Sequence, residues 1–350
     1  MAEKSADQRP VTWHPVAALR RIAFLLERGR EDTYKVKAFR AAAAAILPLG
    51  DEEIRQRATA GTLSELTGVG ASSARVIEQA VAGVVPDRLA TLEKQHEGPL
   101  VPGGRALRAA LRGDLHSHSD WSDGGSPIEE MAFTALELGH EYLVLTDHSP
   151  RLKVARGLSA ERLARQLGVI DAVNEHFDGS FRLLKGIEVD ILDDGALDQS
   201  DEMLSRLELR VASVHSKLAM DREAMTRRMV AAVRDPRSNV LGHCTGRLVT
   251  GSRGTRAQSS FDAEAVFTAC REEGVAVEIN SRPERRDPPT ALLALARDLG
   301  CLFSIDSDAH APGQLDFLDH GCARAEEAGI EPERIVNTWP IDRLLAWANR

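Results

Sequence analysis

Residues 113–124 read GDLHSHSDWSDG, a short strand-like start that ends abruptly in ionisable residues. His116 and His118 are two positions apart, and alternate residues of a strand face the same side, so both imidazoles can bind one ion. A helical pattern follows, and Ser126 before Pro127 suits its first turn. This unit of a strand, an ionisable strand end and a helix is the basis of the fold prediction.

The same unit occurs seven times in the chain. The other six segments are YLVLTDHS (142–149), LLKGIEVDI (183–191), RVASVHS (210–216), NVLGHCTGR (239–247), VAVEINSRPERR (275–286) and CLFSIDSDAH (301–310). Helical stretches lie between them, and such alternation is typical of parallel strands covered by helices. We therefore predict a parallel α/β barrel, a fold in which functional residues collect at the C-terminal ends of the strands.

Nine residues at or just after the strand ends have side chains that bind metal ions. They are His116, His118, Asp123, His148, Glu188, His215, His243, Asp308 and His310. Histidine nitrogen and carboxylate oxygen suit zinc, manganese or iron, and a single ion takes at most about six ligands. The sequence thus predicts two or three divalent metal ions. A histidine hydrogen-bonded to a carbonyl is the alternative for each residue singly, but it does not explain the whole set.

Polar residues after the fifth and sixth strands are candidates for substrate binding. They are Arg247, Asn280, Arg282 and Arg285, with Arg286 beside them. Guanidinium groups bind phosphate in a bidentate way, so these arginines can hold a substrate phosphate or its leaving group. Ordinary surface arginines on a loop are the alternative. Asn280 can contact substrate or support a ligand, and Asp147 and Asp306 can orient imidazoles or cap turns.

The first hundred residues predict a small all-α domain. Val16, Leu19, Ile22 and Leu26 have helical spacing, and an alanine-rich helical pattern ends near Pro48. Residues 66–80, LTGVGASSARVIEQA, predict a helix-hairpin-helix turn. Gly68 and Gly70 would let backbone N–H groups at a helix start approach a nucleic-acid phosphate without reading sequence. A plain turn between two helices is the alternative.

Charge is distributed unevenly along the chain. Residues 1–100 contain 14 Lys and Arg against 13 Asp and Glu, and residues 101–350 contain 30 against 40. Residues 20–40 carry seven basic side chains and three acidic ones, which favours a surface for a polyanion or, equally, a solvated helix face. The candidate DNA contacts are Lys35, Lys37, Arg40, Gly68 and Gly70.

The composition and the positions of glycine and proline indicate the domain boundaries. The chain of 350 residues is 43% hydrophobic and 28% charged, which is typical of a globular protein. The Gly- and Pro-rich segment 96–104 predicts a helical domain over 1–98, a linker over 99–112 and the barrel over 113–350. With neither a secretory signal nor an apolar stretch of membrane-spanning length, we expect a cytoplasmic protein that binds no membrane. The four widely spaced cysteines are expected to be reduced core residues.

The nine strand-end residues resemble, in order, the ligand set of the PHP (polymerase and histidinol phosphatase) family. That resemblance implies a distorted seven-stranded (β/α)7, TIM-like barrel with a trinuclear metal site that hydrolyses phosphoesters. One ion would be held by His116, His118, Glu188 and Asp308. Glu188 would bridge to a second ion held by His215 and His243. Asp123, His148 and His310 would hold the third.

The N-terminal part is similar to the helical lyase-like domain of family X DNA polymerases, whose bacterial members carry a PHP domain. Only about twenty residues separate the two parts, which leaves no room for a polymerase palm, so polymerisation is not expected. Polymerase lyase domains carry a Schiff-base lysine where this chain has Val76. Valine cannot form an imine with a sugar aldehyde, so lyase activity is not expected either.

These features predict a metal-dependent phosphoester hydrolase in which the nine ligands are the catalytic residues. The ions would lower the pKa of a bound water and neutralise charge on the phosphoryl group. The favoured substrate is DNA, cleaved as by a 3'-5' exonuclease or a DNA-end-processing enzyme in repair. A small-molecule phosphatase of the histidinol-phosphate type and a non-catalytic DNA-binding protein with structural metals are the alternatives. The native metal and the oligomeric state stay open.

Overall fold

The computed structural model describes residues 12–251 and 254–350. The chain divides into two compact units, Met1–Gly98 and Pro99–Arg350. Residues 1–11 of the predicted helical domain lie outside the described residues, as do residues 252–253.

The described part of the first unit is helical. Its helices are α1 (Pro15–Arg28), α2 (Thr33–Ile46), α3 (Asp51–Ala60), α4 (Ala71–Val81) and α5 (Asp87–Gln95). Helix α1 contacts α2, α4 and α5, because Leu19, Ile22 and Leu26 recur at helical spacing and are fully buried. Helix α2 ends two residues before Pro48, as the sequence predicts.

The turn before α4 contains the two glycines of the predicted hairpin. Gly68 has φ +96°, and a Cβ atom there would lie 3.2 Å from the carbonyl oxygen of Ala41 in α2. Glycine is therefore needed at Gly68 both for backbone conformation and for close packing. Gly70 has φ −97° and open space where a Cβ would stand.

The second unit alternates strands with helices. The strands are β1 (Gly113–Ser117), β2 (Tyr142–Leu145), β3 (Arg182–Asp190), β4 (Leu209–Ser213), β5 (Val240–Leu241), β6 (Ala276–Asn280) and β7 (Phe303–Asp306). The helices are α6 (Arg105–Ala110), α7 (Ile128–Glu137), α8 (Ala160–Phe177), α9 (Asp201–Ser205), α10 (Arg222–Val233), α11 (Ala263–Glu273), α12 (Thr290–Leu299), α13 (Leu318–Glu327) and α14 (Ile341–Ala348).

The seven strands pair in sequence order, and every pair is parallel. A further parallel bridge joins Ser117 to Ala309, so the last strand returns to the first and the sheet nearly closes. The predicted seven-stranded (β/α) barrel is confirmed. Parallel pairing places all the C-terminal strand ends at one end of the barrel.

The inner face of each strand changes from apolar to ionisable along its length. Leu184 and Glu188 lie on the same face of β3, because residues four apart in a strand point the same way. Leu184 belongs to a buried apolar cluster with Tyr142, Val144, Leu209, Val211 and Ala276 at the N-terminal ends of the strands. The core thus fills the lower half of the barrel, and ionisable residues occupy the upper half.

The C-terminal segment closes the lower end of the barrel. Val336, Trp339 and Leu344 join the inner apolar cluster. The Asn337 side chain accepts a hydrogen bond from the backbone N–H of Ile305, and the Tyr142 hydroxyl donates to the Asn337 carbonyl at 3.0 Å. These contacts seal the end opposite to the ionisable residues.

The prediction that residues 99–112 form a linker is wrong, because this segment is folded onto α13. Residues 105–110 form α6, the backbone N–H of Leu100 donates to Asp319, and that of Gly104 donates to Glu326. A Cβ atom at Gly104 would lie 2.4 Å from the backbone nitrogen of Ala323. The Gly- and Pro-rich composition reflects this close packing rather than a free connection.

Candidate metal centre

The strand ends bring all nine predicted ligands to the upper end of the barrel. His116, His118, Glu188 and Asp308 are at most 1% exposed. His243 and His148 are also buried, whereas His215, His310 and Asp123 are partly accessible from the mouth. The inner part of the site is therefore buried, and one side of it is accessible to solvent.

Glu188 lies at the centre of the cluster, and its two oxygens face different imidazoles. Oε1 lies 2.8 Å from His243 Nε2 and 3.1 Å from His215 Nε2. Oε2 lies 2.8 Å from His148 Nδ1 and 3.4 Å from His116 Nε2. A carboxylate placed between two sets of nitrogens has the geometry of a bridge between two cations.

Two further carboxylates complete the cluster. Asp123 Oδ1 lies 3.3 Å from Nε2 of both His148 and His310. Asp308 Oδ1 lies 3.5 Å from His118 Nε2 and 3.5 Å from His310 Nδ1. Each carboxylate thus faces imidazoles from other strand ends.

Among the described residues, three groups of side chains have ligand atoms within 4.8 Å of one another. They are His118 with Asp123, His148 and His310; His116 with His118 and Asp308; and His148 with Glu188 and His215. The groups agree with the predicted three-ion partition in part. His118 also lies in the Asp123 group and His148 in the Glu188 group, whereas Glu188 is missing from the His116 group and His243 from all three.

Unsatisfied imidazole nitrogens test whether these residues fit metal ions. Buried ring nitrogens without a hydrogen-bond partner occur in His116, His118, His148, His215 and His243. A buried polar atom without a partner is costly, and a lone pair aimed at a cation removes that cost. The donor set is histidine and carboxylate, which suits zinc, manganese or iron. The residues therefore fit divalent metal ions.

The charges within the cluster keep the carboxylates deprotonated, which is the form that binds metal ions. Burial alone would raise the pKa of Glu188, but the imidazoles of His215 and His116 hold it well below its usual value. Burial would likewise raise the pKa of Asp308, and Arg285 and His116 lower it. Both side chains are thus anionic.

The imidazoles separate into two classes. Burial, and then His310, lower the pKa of His118, which keeps that ring neutral and able to bind a cation. Burial opposes protonation of His148, but Glu188 and Asp123 raise its pKa to about 10. A proton on His148 takes the place of a cation, so metal binding at this ring releases a proton.

Glu278 of β6 was not predicted as a site residue. Its carboxylate is fully buried, lies 2.5 Å from His116 Nδ1 and accepts a hydrogen bond from the backbone N–H of His243. Carboxylates behind metal-binding imidazoles orient the ring and fix its tautomer. The signal in the sequence was the acidic residue within the apolar run VAVEIN (275–280).

The predicted substrate-binding residues lie in different places. Arg285 Nε donates to Asp308 Oδ2 at 3.0 Å, and Arg282 Nη1 lies 2.9 Å from His310 Nδ1. Asn280 Nδ2 donates to Asp308 and to Glu278. Arg247 instead donates to the backbone carbonyls of the loop after β6 and contacts none of the nine ligands. Three of the four thus contact the cluster or its support.

The predicted DNA-binding side chains of the helical unit also differ from one another. Lys35 is exposed and pairs with Glu31, and Lys37 is exposed. Arg40 forms two hydrogen bonds with Glu27 in a largely buried ion pair between α2 and α1. This ion pair joins α2 to α1, so Arg40 contributes to packing within the unit. Val76 is buried in the core of the unit.

None of the described helices has the length and apolar character needed to cross a bilayer. The four cysteines are buried and unpaired, as the sequence predicts.

Comparison with known proteins places the barrel in a family. Residues 114–282 match the family model described as PHP domain. The chain is 37% identical over 240 residues to "DNA polymerase/3'-5' exonuclease PolX" of Bacillus subtilis (strain 168); the match takes in 69% of the chain but only 41% of that protein. It is 27% identical over 234 residues to a protein named "Probable phosphatase" of Syntrophotalea carbinolica, covering 64% of the chain and 90% of that protein.

A solved structure, histidinol phosphate phosphatase of Lactococcus lactis complexed with zinc, L-histidinol and phosphate, also resembles the chain. The TM-score is 0.44 at 18% sequence identity, over 63% of this chain and 95% of that one. Together with the barrel topology, the family match identifies a PHP domain, the domain of a metal-dependent hydrolase, within the second unit.

Proposed function

We propose that this chain hydrolyses phosphodiesters of DNA, as a 3'-5' exonuclease or a DNA-end-processing enzyme. The observation that carries the proposal is the convergence of nine ligand residues, with buried unpartnered imidazole nitrogens, at the open end of a PHP barrel. The similarity to a bacterial polymerase with a named 3'-5' exonuclease activity supports DNA as the substrate.

The nine residues would hold the ions, with Glu188 at the centre of the set. When bound, they supply a hydroxide nucleophile at neutral pH and neutralise charge on the phosphoryl oxygens. Arg285 and Arg282 lie against Asp308 and His310 at the mouth, where a guanidinium can bind a non-bridging phosphate oxygen. The buried floor of the site excludes water from one side of the scissile phosphate.

The helical unit holds the DNA backbone in this proposal. Helix α4 begins directly after Gly70, so its first N–H groups are available to a phosphate oxygen at the positive end of the helix. Lys35 and Lys37 are both exposed residues of α2, the helix against which Gly68 packs. These contacts are independent of base sequence.

A small-molecule phosphatase is the second candidate, because relatives of PHP-domain size are named phosphatases. The deciding experiment offers metal-reconstituted protein 3'-labelled single-stranded DNA, gapped DNA, histidinol phosphate and a chromogenic phosphomonoester. We expect stepwise loss of nucleotides from the 3' end. Release of phosphate from the small esters alone would overturn the proposal in favour of the phosphatase.

Two sets of variants separate hydrolysis from DNA binding. His116→Ala and Asp308→Ala should each lower turnover by several orders of magnitude and leave DNA affinity unchanged. Gly70→Glu should weaken DNA binding about tenfold and leave hydrolysis of a small ester unchanged, because it adds an anion beside the amides of α4 in open space. Gly50→Glu is the matched control, since Gly50 also precedes a helix and has open space.

A further inference from the structure

Four arginines form a cluster at the surface next to the metal centre. Arg247 and Arg256 lie in the loop after β5, Arg286 lies in the loop after β6, and Arg324 lies in α13. Arg247 and Arg324 donate to the consecutive backbone carbonyls of residues 285–288, which places both beside Arg286, and Arg256 donates to the carbonyl of Gly246, the residue before Arg247. We refer to these four residues as the arginine cluster.

The guanidinium groups of the arginine cluster bond to backbone carbonyls and not to carboxylates. Arg247 donates to the carbonyl oxygens of Arg285 and Arg286, and Arg256 donates to that of Gly246. Arg324 donates in the same way to the carbonyls that follow Arg286. Within the described residues, no acidic side chain lies within 4.0 Å of a charged nitrogen of the four. Neutral acceptors thus hold Arg247, Arg256 and Arg324 without neutralising their charge.

The acidic side chains near the cluster include Asp287, Glu284 and Glu327. Asp287 is fully buried, and it accepts hydrogen bonds from the backbone N–H and the hydroxyl of Thr245. Burial, and then the charge of Arg247, lower the pKa of Arg324 to about 10. The four guanidinium groups outnumber Asp287, Glu284 and Glu327 around them, which leaves a net positive patch.

The patch is continuous with the metal centre through two consecutive residues. The Arg285 side chain donates to Asp308, while its carbonyl accepts from Arg247. Arg286 has φ +50°, an uncommon backbone conformation for a residue with a side chain. Arg286 is exposed. At this turn the Arg285 guanidinium therefore contacts Asp308, and the Arg286 guanidinium lies at the surface.

The other side of the mouth has the opposite charge. The loop after β3 carries Asp193 and Asp194, both exposed, and Asp198. Lys217 pairs with Asp193 and so offsets part of this negative charge, but Asp194 and Asp198 still make the path over β3 less favourable to a polyanion than the path over β5 and β6. The charge distribution therefore selects one exit path for the part of a substrate that extends beyond the reacting phosphate.

We propose that Arg247, Arg256 and Arg286 bind phosphates of a nucleic-acid strand beyond the phosphate that is cleaved. This subsite rests on the proposed nuclease function and names its substrate class, a strand with at least two successive phosphates rather than a monophosphate ester. Arg324 stabilises the loop after β6 through its hydrogen bonds to the carbonyls of Asp287 and Pro288. Binding of a neighbouring phosphate fixes the register of the strand over the metal centre.

The test compares the double variant Arg256→Gln/Arg286→Gln with Arg151→Gln, an exposed arginine in the loop after β2. The substrates are a single-stranded oligonucleotide and a chromogenic phosphodiester that has one phosphate. We expect the double variant to raise KM for the oligonucleotide about tenfold, to leave the small diester unchanged and to reduce the salt dependence of oligonucleotide KM by roughly 0.7 per lost phosphate contact. Arg151→Gln should change none of these quantities. Equal KM values for the double variant and the wild type would overturn the subsite.

A second measurement keeps the subsite separate from the nuclease proposal. A nuclease-resistant phosphorothioate tetranucleotide is used as an inhibitor of small-diester hydrolysis. We expect its inhibition constant to rise about tenfold in the double variant and to be restored by Arg256→Lys/Arg286→Lys. Absence of DNA cleavage by the wild-type protein would refute the proposed function. An inhibition constant that is equal in the wild type and in Arg256→Gln/Arg286→Gln would refute the subsite.

Discussion

Glu278 is a residue on which two candidate ligands depend. Its carboxylate contacts Nδ1 of His116 and also accepts a hydrogen bond from the backbone N–H of His243. With Nδ1 of His116 held by Glu278, Nε2 of the same ring faces Glu188 and Asp308. The two histidines belong to different ions in the proposed arrangement. A single carboxylate therefore positions ligands of both.

We predict that Glu278→Gln weakens metal binding by about 10–100-fold, because an amide can no longer accept from both N–H groups with full charge. The measurement is competition for zinc or manganese against a chromophoric chelator, together with metal content after dialysis. Glu272→Gln, an exposed change on the preceding helix, is the control. Metal affinity equal to that of the wild type would contradict a positioning role for Glu278.

His140 gives the barrel a pH dependence that does not arise from the nine ligands. It is buried at the start of β2, and neither ring nitrogen has a hydrogen-bond partner among the described residues. Burial, followed by the charge of Arg108, lowers its pKa to about 3. The neutral ring is therefore the folded form. Its contribution to stability is complete above the unfolded pKa of about 6.5 and is lost as the pH falls towards 3.

We predict that His140→Leu removes this part of the pH dependence. Between pH 7 and pH 5 the wild type should lose roughly 2 kcal/mol of unfolding free energy that the variant retains. Chemical denaturation of both proteins, each freed of metal, at half-unit pH steps measures the difference. Parallel stability curves for the two proteins over that interval would show that His140 is protonated in the fold.

At the scale of elements, the positions of the strand ends could be predicted, whereas contacts between elements that are distant in sequence could not. The alternation of strands and helices predicts β1 to β7 and places His116, Glu188 and Asp308 at one end, because the period of two and parallel pairing are local rules. The folded segment 99–112 escaped prediction because its partners are more than 200 residues away in sequence. The ion pair between Arg40 and Glu27 likewise depends on how two helices pack.

The loop between β1 and α7 is held to its neighbours by Asp147. This buried carboxylate accepts hydrogen bonds from the backbone and hydroxyl of Ser119, from the hydroxyl of Ser122 and from Gln166 of α8. The same loop carries Asp123, which faces His148 and His310. Asp147 therefore connects β2, α8 and the loop that presents a ligand, although it touches none of the proposed ions.

We predict that Asp147→Asn lowers the metal content by one ion per chain and the unfolding free energy by about 2–3 kcal/mol. The amide nitrogen would face donors where the carboxylate accepts, so two hydrogen bonds are lost and Asp123 is displaced. Elemental analysis and denaturant unfolding measure the two effects. Asp120→Asn in the same loop is the control, because Asp120 is exposed. Unchanged metal content would contradict the link from Asp147 to Asp123.

At the scale of the whole molecule, the two units have separate sources of stability. The described residues of the helical unit pack around α1 and contain none of the three candidate metal groups. The barrel unit contains all of them and buries anionic Glu188 and Asp308 beside cationic imidazoles. Bound cations should therefore stabilise the barrel unit alone.

We predict that removal of metal lowers the thermal transition of the barrel unit and leaves that of the helical unit in place. Ligand linkage contributes about 4 kcal/mol for a site at a thousandfold excess over its Kd, so the shift should be several degrees. Differential scanning calorimetry with and without chelator measures it. Leu19→Ala assigns the helical transition, because Leu19 is fully buried in α1 and its truncation costs about 2–5 kcal/mol. An unshifted barrel transition would contradict the metal centre, and a single transition that moves as a whole would contradict the independence of the units.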